Sequence, residues 1–188
     1  MTKIAIFASG SGSNAENIIQ YFANEAEICV KNIYCNVPDA YVLERAKKYN
    51  VPTIVFNREG LRDPQKILRQ LQQDEIDFVI LAGFLWLIPA CIAVAYPNHI
   101  INIHPALLPA YGGKGMYGHH VHESVIKAGE KESGITIHYV NEHYDEGATI
   151  FQAKCPVHST DTADTLAARI HELEYKHFPQ VIKEVLSL

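Results

Sequence analysis

The chain is poor in cysteine and in clustered positive charge, and each shortage removes a class of protein. Its 188 residues include four cysteines and one tryptophan. Cys29, Cys35, Cys91 and Cys155 are scattered with no Cys-x-x-Cys, which excludes a zinc ribbon or a thioredoxin-type redox motif. Each lies in or beside an apolar segment, so buried free thiols in a reducing cytoplasm are expected. There are 16 Lys and Arg against 21 Asp and Glu, a formal net charge of −5, and no basic block. A nucleic-acid-binding surface needs the opposite balance. No run approaches the roughly eighteen apolar residues of a membrane span. The stretch from Met1 to Ala8 is too short for a signal peptide and reads as a first strand. No Walker-type Gly-Lys-Ser/Thr is present, and there is no repeat or low-complexity tract. His119, His120 and His122 are not spaced as His-x-x-x-His and have no Asp among them, so the expectation is a mobile, solvated helix start and no metal.

What is present is ordinary globular material, 48% hydrophobic and 20% charged, of a length that fits one domain over residues 1–188. The first half alternates strand and helix patterns. Apolar strand runs fall at Lys3–Ala8, Ile28–Cys35, Thr53–Phe56, Phe78–Ala82 and His99–His104. Helical spacing fills Asn14–Asn24, Asp39–Tyr49 (opened by an N-cap-like Asp39), Pro64–Gln73 and Pro89–Ala95. The second half changes character. A Pro- and Gly-rich loop over Pro105–Gly118 precedes a helix at His120–Ala128. Strands at Gly134–Val140 and Ala148–Cys155 follow, then a long helix at Thr162–Leu186 that Pro179 is expected to kink. The pattern predicts an α/β fold: a single Rossmann-like, doubly wound, mostly parallel sheet with an antiparallel C-terminal hairpin.

Four segments carry polar chemistry. In Ile101-Asn102-Ile103-His104-Pro105, the residues i and i+2 of a strand share a face. Asn102 and His104 therefore project together, an amide donor beside an imidazole, suited to a carbonyl oxygen that becomes negative. Ser9-Gly10-Ser11-Gly12-Ser13-Asn14 joins the first strand to the first helix, where backbone N–H groups and the helix dipole favour an anion. Asp145 lies in a polar turn; if it reaches His104 it should favour the imidazolium and raise its pKa. Leu81-Ala82-Gly83-Phe84-Leu85-Trp86-Leu87-Ile88-Pro89 is a strand followed by an apolar turn that could line a flat slot. Each segment alone also fits a blander reading: a mutually satisfied Asn and His, a tight turn capped by Ser13 or Asn14, a solvated Asp, and plain core.

Taken together, in this order and spacing, Ser9–Asn14, Leu81–Phe84, Asn102–Pro109 and Asp145–Gly147 resemble the phosphoribosylglycinamide formyltransferases, folate-dependent enzymes of purine synthesis. The resemblance covers essentially the whole chain. It implies formyl transfer from 10-formyltetrahydrofolate, a co-substrate, to the amine of 5'-phosphoribosylglycinamide, without a metal. It implies Asn102, His104 and Asp145 as the catalytic trio, and Gly12, Ser13 and Asn14 as the substrate phosphate loop. Glu174 would hold the glycinamide end. Leu85, Trp86, Leu87 and Ile88 would line the folate site together with Asn102, Asn141 and Asp145. An arginine before the fourth strand contacts folate in the family; Arg62 is the candidate, with Arg58 behind it. Two features depart from the family pattern. Trp86 stands where many relatives carry a polar or basic side chain, and the Gly112–Gly118 loop is long, with Lys114 placed to reach an anion or to sit in solvent. The expected partners are small molecules, with neither nucleic acid nor membrane, in a cytoplasmic monomer or homodimer. The alternatives are a 10-formyltetrahydrofolate hydrolase, a methionyl-tRNA formylase and, from another class, a non-catalytic nucleotide-binding module. A hydrolase is expected to carry a regulatory domain ahead of the first strand and a methionyl-tRNA formylase a nucleic-acid-binding C-terminal domain, and a binding module leaves the trio without a purpose.

Overall fold

The computed structural model describes residues 1–187 except Glu59, Leu61 and Arg62, with Pro64 described by its backbone alone. Arg62, the expected folate-contacting arginine, thus lies outside the described residues. The elements are β1 (Thr2–Ala8), α1 (Ser13–Phe22), β2 (Ile28–Cys35), α2 (Val42–Lys48), β3 (Thr53–Val55), α3 (Pro64–Gln73), β4 (Phe78–Leu81), α4 (Ala90–Ala95), β5 (Ile100–His104), α5 (His119–Ala128), β6 (Glu132–Tyr139), β7 (Thr149–Pro156) and α6 (Ala163–Leu186). The strands are ordered β3-β2-β1-β4-β5-β6-β7. Pairs β1–β2, β1–β4 and β2–β3 are parallel and β6–β7 is antiparallel. This is the Rossmann-like, mostly parallel sheet with a C-terminal hairpin that the alternating pattern predicts. Two compact units divide within β5, Met1–Ile101 and Asn102–Leu188. Among the described residues no helix is long and apolar enough to cross a membrane.

In the first unit, β1 buries every residue from Ile4 to Ala8, which is why it reads as an unbroken apolar run rather than an alternation. Phe7 stacks on Tyr34 of β2 with ring centroids 4.6 Å apart. Helix α1 buries Ala15, Ile18, Ile19 and Phe22, one stripe at helical spacing. The start of α2 differs from expectation. Asp39 is exposed and caps nothing; the helix begins at Val42. Residues 37–40 instead form a turn, with the Ala40 N–H donating to the Val37 carbonyl, and the Val42 N–H donates to the Gly10 carbonyl. The polar N-cap signal was overridden by this tertiary attachment.

In the second unit, β6 and β7 pair from Glu132 opposite Pro156 to His138 opposite Thr149, with an irregularity between Ile137 and His138. Helix α6 opens on a capping box in which Thr162 and Thr165 exchange hydrogen bonds. It runs as one helix across Pro179, burying Leu166, Ile170, Phe178, Val181 and Ile182. Gly147 ends the turn between the two strands, and a Cβ there would lie 1.7 Å from the Tyr139 carbonyl oxygen. Gly147→Ala is expected to destabilise the protein by about 1–3 kcal/mol, because backbone must move to admit the methyl. A denaturant midpoint equal to that of the unchanged chain would contradict this.

Candidate active site

The second unit gathers the polar groups that carry chemistry. Asn102 and His104 leave β5 on the same side, as the two-residue strand period requires. His104 is only 4% exposed. Asp145, from the turn after β6, has a left-handed backbone with φ 56°, a conformation that is costly for a residue with a Cβ and concentrates at functional sites. Its Oδ2 lies 3.6 Å from His104 Nδ1 and accepts the Gly113 N–H at 2.9 Å. His104 Nε2 is 2.7 Å from the Tyr111 carbonyl. A carbonyl only accepts, so Nε2 carries the hydrogen and Nδ1 of the neutral ring presents a lone pair toward Asp145. The segment Tyr111–Gly113 thus wraps the His104–Asp145 pair. Gly112 is required there, since a Cβ would come within 2.5 Å of Leu108 and 3.3 Å of Asp145. Lys114, in the same loop, is exposed.

A fourth residue completes the cluster. The Asn102 amide nitrogen is 3.0 Å from His138 Nε2, and His138 Nδ1 is 2.8 Å from the Tyr139 carbonyl. The same reasoning gives His138 a hydrogen on Nδ1 and an accepting Nε2. That assignment fixes the Asn102 side chain with its NH2 toward His138 and leaves a second N–H on that nitrogen. His138 Nε2 also lies 3.6 Å from Asp145 Oδ1. Sequence reading missed His138. The available signal was Thr136 and His138 at i and i+2, alternating with Ile135 and Ile137; both prove to be buried. Thr136 has its own task. Its hydroxyl donates to the Ala106 carbonyl at 2.7 Å and accepts the Leu108 N–H at 2.9 Å. Gln152 adds a bond to the Leu108 carbonyl at 3.0 Å. Together they hold the chain that leaves His104.

The electrostatics correct one expectation. Asp145 does favour the His104 imidazolium, but burial outweighs it and the His104 pKa falls below the ordinary histidine value. Burial by itself would raise the Asp145 pKa; the neighbouring His138 and His104 imidazoles and the Gly113 N–H prevail and lower it. The resting pair is therefore a neutral imidazole facing a carboxylate, two acceptors with room for one proton between them.

On α6, Glu174 is 4% exposed, and its Oε2 is 2.9 Å from His171 Nδ1. That hydrogen bond raises the His171 pKa. The three clustered histidines divide. His119 and His120 are exposed, as a solvated helix start requires, but His122 is 3% exposed and its Nδ1 has no hydrogen-bond partner among the described residues. The solvated expectation fails for His122 because it falls on the inward face of α5, with Val121 and Val125. Among the described residues no group of His, Cys, Asp and Glu could hold a metal.

In the first unit, Gly12 is the N-cap of α1, with φ 73° and no side-chain cap, so neither Ser13 nor Asn14 takes the capping role. A Cβ on Gly12 would lie 2.3 Å from Val42. Ser9 is buried, and its hydroxyl accepts the Leu85 N–H at 3.0 Å, tying the apolar turn to the loop. In that turn Leu85 and Leu87 are exposed and Trp86 is half-buried, while Phe84 and Ile88 point into the core. Trp86 meets Phe56 and Phe84 at steep angles, and the Arg58 guanidinium lies 5.4 Å from its ring centroid. Asn141, in the second unit, is exposed and its Oδ1 accepts the His143 N–H at 2.9 Å.

Comparison with known proteins gives a consistent picture. A family profile described as formyl transferase matches residues 2–182. The chain is 39% identical to a phosphoribosylglycinamide formyltransferase of Bacillus subtilis, over 100% of this chain and 96% of that protein. It is 40% identical to a chloroplastic phosphoribosylglycinamide formyltransferase of Arabidopsis thaliana, over 96% of this chain and 64% of that one. Among solved structures, glycinamide ribonucleotide transformylase 1 from Geobacillus kaustophilus superposes with a TM-score of 0.90 at 36% identity, covering 99% of each chain.

Proposed function

The chain belongs to the phosphoribosylglycinamide formyltransferase family, and from that membership we propose that it moves the formyl group of 10-formyltetrahydrofolate to the amine of 5'-phosphoribosylglycinamide. The observation that carries the reading is the cluster in which Asn102 is hydrogen-bonded to His138 and the Asp145 carboxylate lies 3.6 Å from both His104 and His138. As the amine nitrogen adds to the formyl carbon, the carbonyl electron pair moves to oxygen. Asn102, oriented by His138, donates its remaining N–H to that oxygen. The proton shed by the amine goes to His104 Nδ1, where the Asp145 carboxylate stabilises the new imidazolium, and is then delivered to the departing folate nitrogen. A neutral resting His104 suits this better than a resident cation, because it begins the cycle able to accept.

The family implies further roles. Gly12, Ser13 and Asn14 take the substrate phosphate on the N-terminus of α1. Glu174 takes the glycinamide end. The exposed faces of Leu85 and Leu87, with Trp86 and Asn141, meet the folate. The match over residues 2–182 supports a single formyltransferase domain. The test is consumption of 10-formyltetrahydrofolate by purified protein with glycinamide ribonucleotide and with water alone. Formylated ribonucleotide should accumulate only in the first arm. Equal consumption in both would mean that the acceptor is water and that the protein is a hydrolase.

A further inference from the structure

The loop that opens α1 is held from outside by α2 through hydrogen bonds to its carbonyls. The Val42 N–H donates to the Gly10 carbonyl at 3.2 Å. Arg45 Nε donates to the Ser11 carbonyl at 2.8 Å. The Gly12 carbonyl accepts the Glu16 N–H at 2.9 Å within α1. Three successive carbonyls are thus committed before Ser13 begins the helix. Gly12 itself is pressed against Val42, with no space for a side chain.

Arg45 is the one side chain among these attachments, and its other end is fixed as well. Its Nη1 pairs with the Glu16 carboxylate. The same carboxylate also receives Lys48 at 3.3 Å and the Tyr49 hydroxyl at 3.1 Å. The Arg45 guanidinium lies 4.9 Å from the Tyr41 ring centroid. Its charge is therefore answered by Glu16 rather than left over for a ligand. What it does uniquely is to seize the Ser11 carbonyl. An anion at a helix start needs N–H groups converging on it and carbonyl oxygens turned away, because a carbonyl dipole facing the anion repels it.

We infer that Arg45 is a positioning residue for substrate binding: by holding the Ser11 carbonyl against α2 it keeps the Gly12–Asn14 donors set for a phosphate, without touching the phosphate itself. This rests on the reading that Gly12, Ser13 and Asn14 take the phosphate. Arg45→Met is expected to raise both the KM for glycinamide ribonucleotide and the inhibition constant of inorganic phosphate by roughly 10- to 100-fold. The value of kcat and the KM for 10-formyltetrahydrofolate should stay within about two-fold, since neither depends on the loop's donors. Arg45→Lys can pair with Glu16 but has no Nε–H at the Ser11 carbonyl, so it should show a smaller rise, about three- to ten-fold, in the same two constants. Glu16→Gln removes the ion pair and spares the Nε bond, and should leave both within about two-fold.

Arg45→Lys retains the α1–α2 pairing and decides the matter if the Met variant does not fold. Unchanged phosphate-dependent constants in Arg45→Lys would overturn the role. A rise in Glu16→Gln as large as in Arg45→Met would also overturn it, by making the ion pair the cause. If the unchanged protein turns over but inorganic phosphate does not compete with the ribonucleotide, the phosphate-loop reading falls, and this inference with it. Phosphate competition in the unchanged protein with unresponsive Arg45 variants would remove the positioning role alone.

Discussion

His104→Ala is expected to lower kcat by about 10²–10³-fold, with a much smaller change in KM for either substrate. The imidazole is buried and tied by Nε2 to the Tyr111 carbonyl, so only Nδ1 faces the Asp145 carboxylate. Removing the ring leaves the amine proton without its acceptor and the departing folate nitrogen without its donor. Asp145→Asn tests the partner. Its amide keeps nearly the same shape but lacks the charge that stabilises the imidazolium. Because Asp145 pulls the His104 pKa upward against burial, the Asn variant should carry a lower His104 pKa, and the acid limb of its pH–rate profile should move to lower pH. Steady-state kinetics from pH 5 to 9 read both effects. Full turnover in either variant, or an acid limb that moves upward in Asp145→Asn, would remove these roles.

The second large effect is on stability. His122 is buried, and burial holds its pKa down at about 4. In the unfolded chain the same group returns to its ordinary value near 6.5. Between those values the unfolded state binds a proton that the folded state does not. Folding stability contributed by this group is therefore complete above pH 6.5 and is lost as the pH falls toward 4, by roughly 3 kcal/mol at most. His104 and His177, also lowered, act in the same direction, and His171, raised by its bond to Glu174, acts against it. His122→Leu fills a similar volume and cannot protonate. Denaturant midpoints at pH 4.5 and 7 should converge in that variant by comparison with the unchanged protein. The Leu variant should also be no less stable at pH 7, since the imidazole it removes has an Nδ1 with no hydrogen-bond partner among the described residues. An unaltered pH dependence in His122→Leu would show that acid lability comes from elsewhere.

Much of the fold was legible locally. Continuous apolar runs marked β1 and β4 because central parallel strands are buried on both faces. The helical stripe at Ile18, Ile19 and Phe22 marked α1, and the strand period placed Asn102 and His104 side by side. These are consequences of backbone geometry over a few residues, which neighbours in sequence determine. The misreadings share the opposite origin. Asp39 has the chemistry of a cap, yet α2 begins at Val42 because Val42 is bonded to Gly10, far away in the chain. His122 belongs to a polar cluster by composition and to the core by its angle on α5.

The same division runs through the active site. Residue order alone determined the α/β architecture, the Asn102–His104 pair and the small-residue loop before α1, since each rests on residue type and short spacing; Asp145 joined the pair only through the family resemblance. Only the tertiary structure brought in His138, turned the Asn102 amide toward it, placed the Gly113 N–H on Asp145 and set the His104 proton balance. A pKa depends on how much water a group loses and which charges it meets, and both are sums over distant chain segments. The sequence offered an imidazole and a carboxylate; folding brought them within 3.6 Å and decided that burial outweighs that carboxylate and leaves the imidazole neutral, ready to receive the proton.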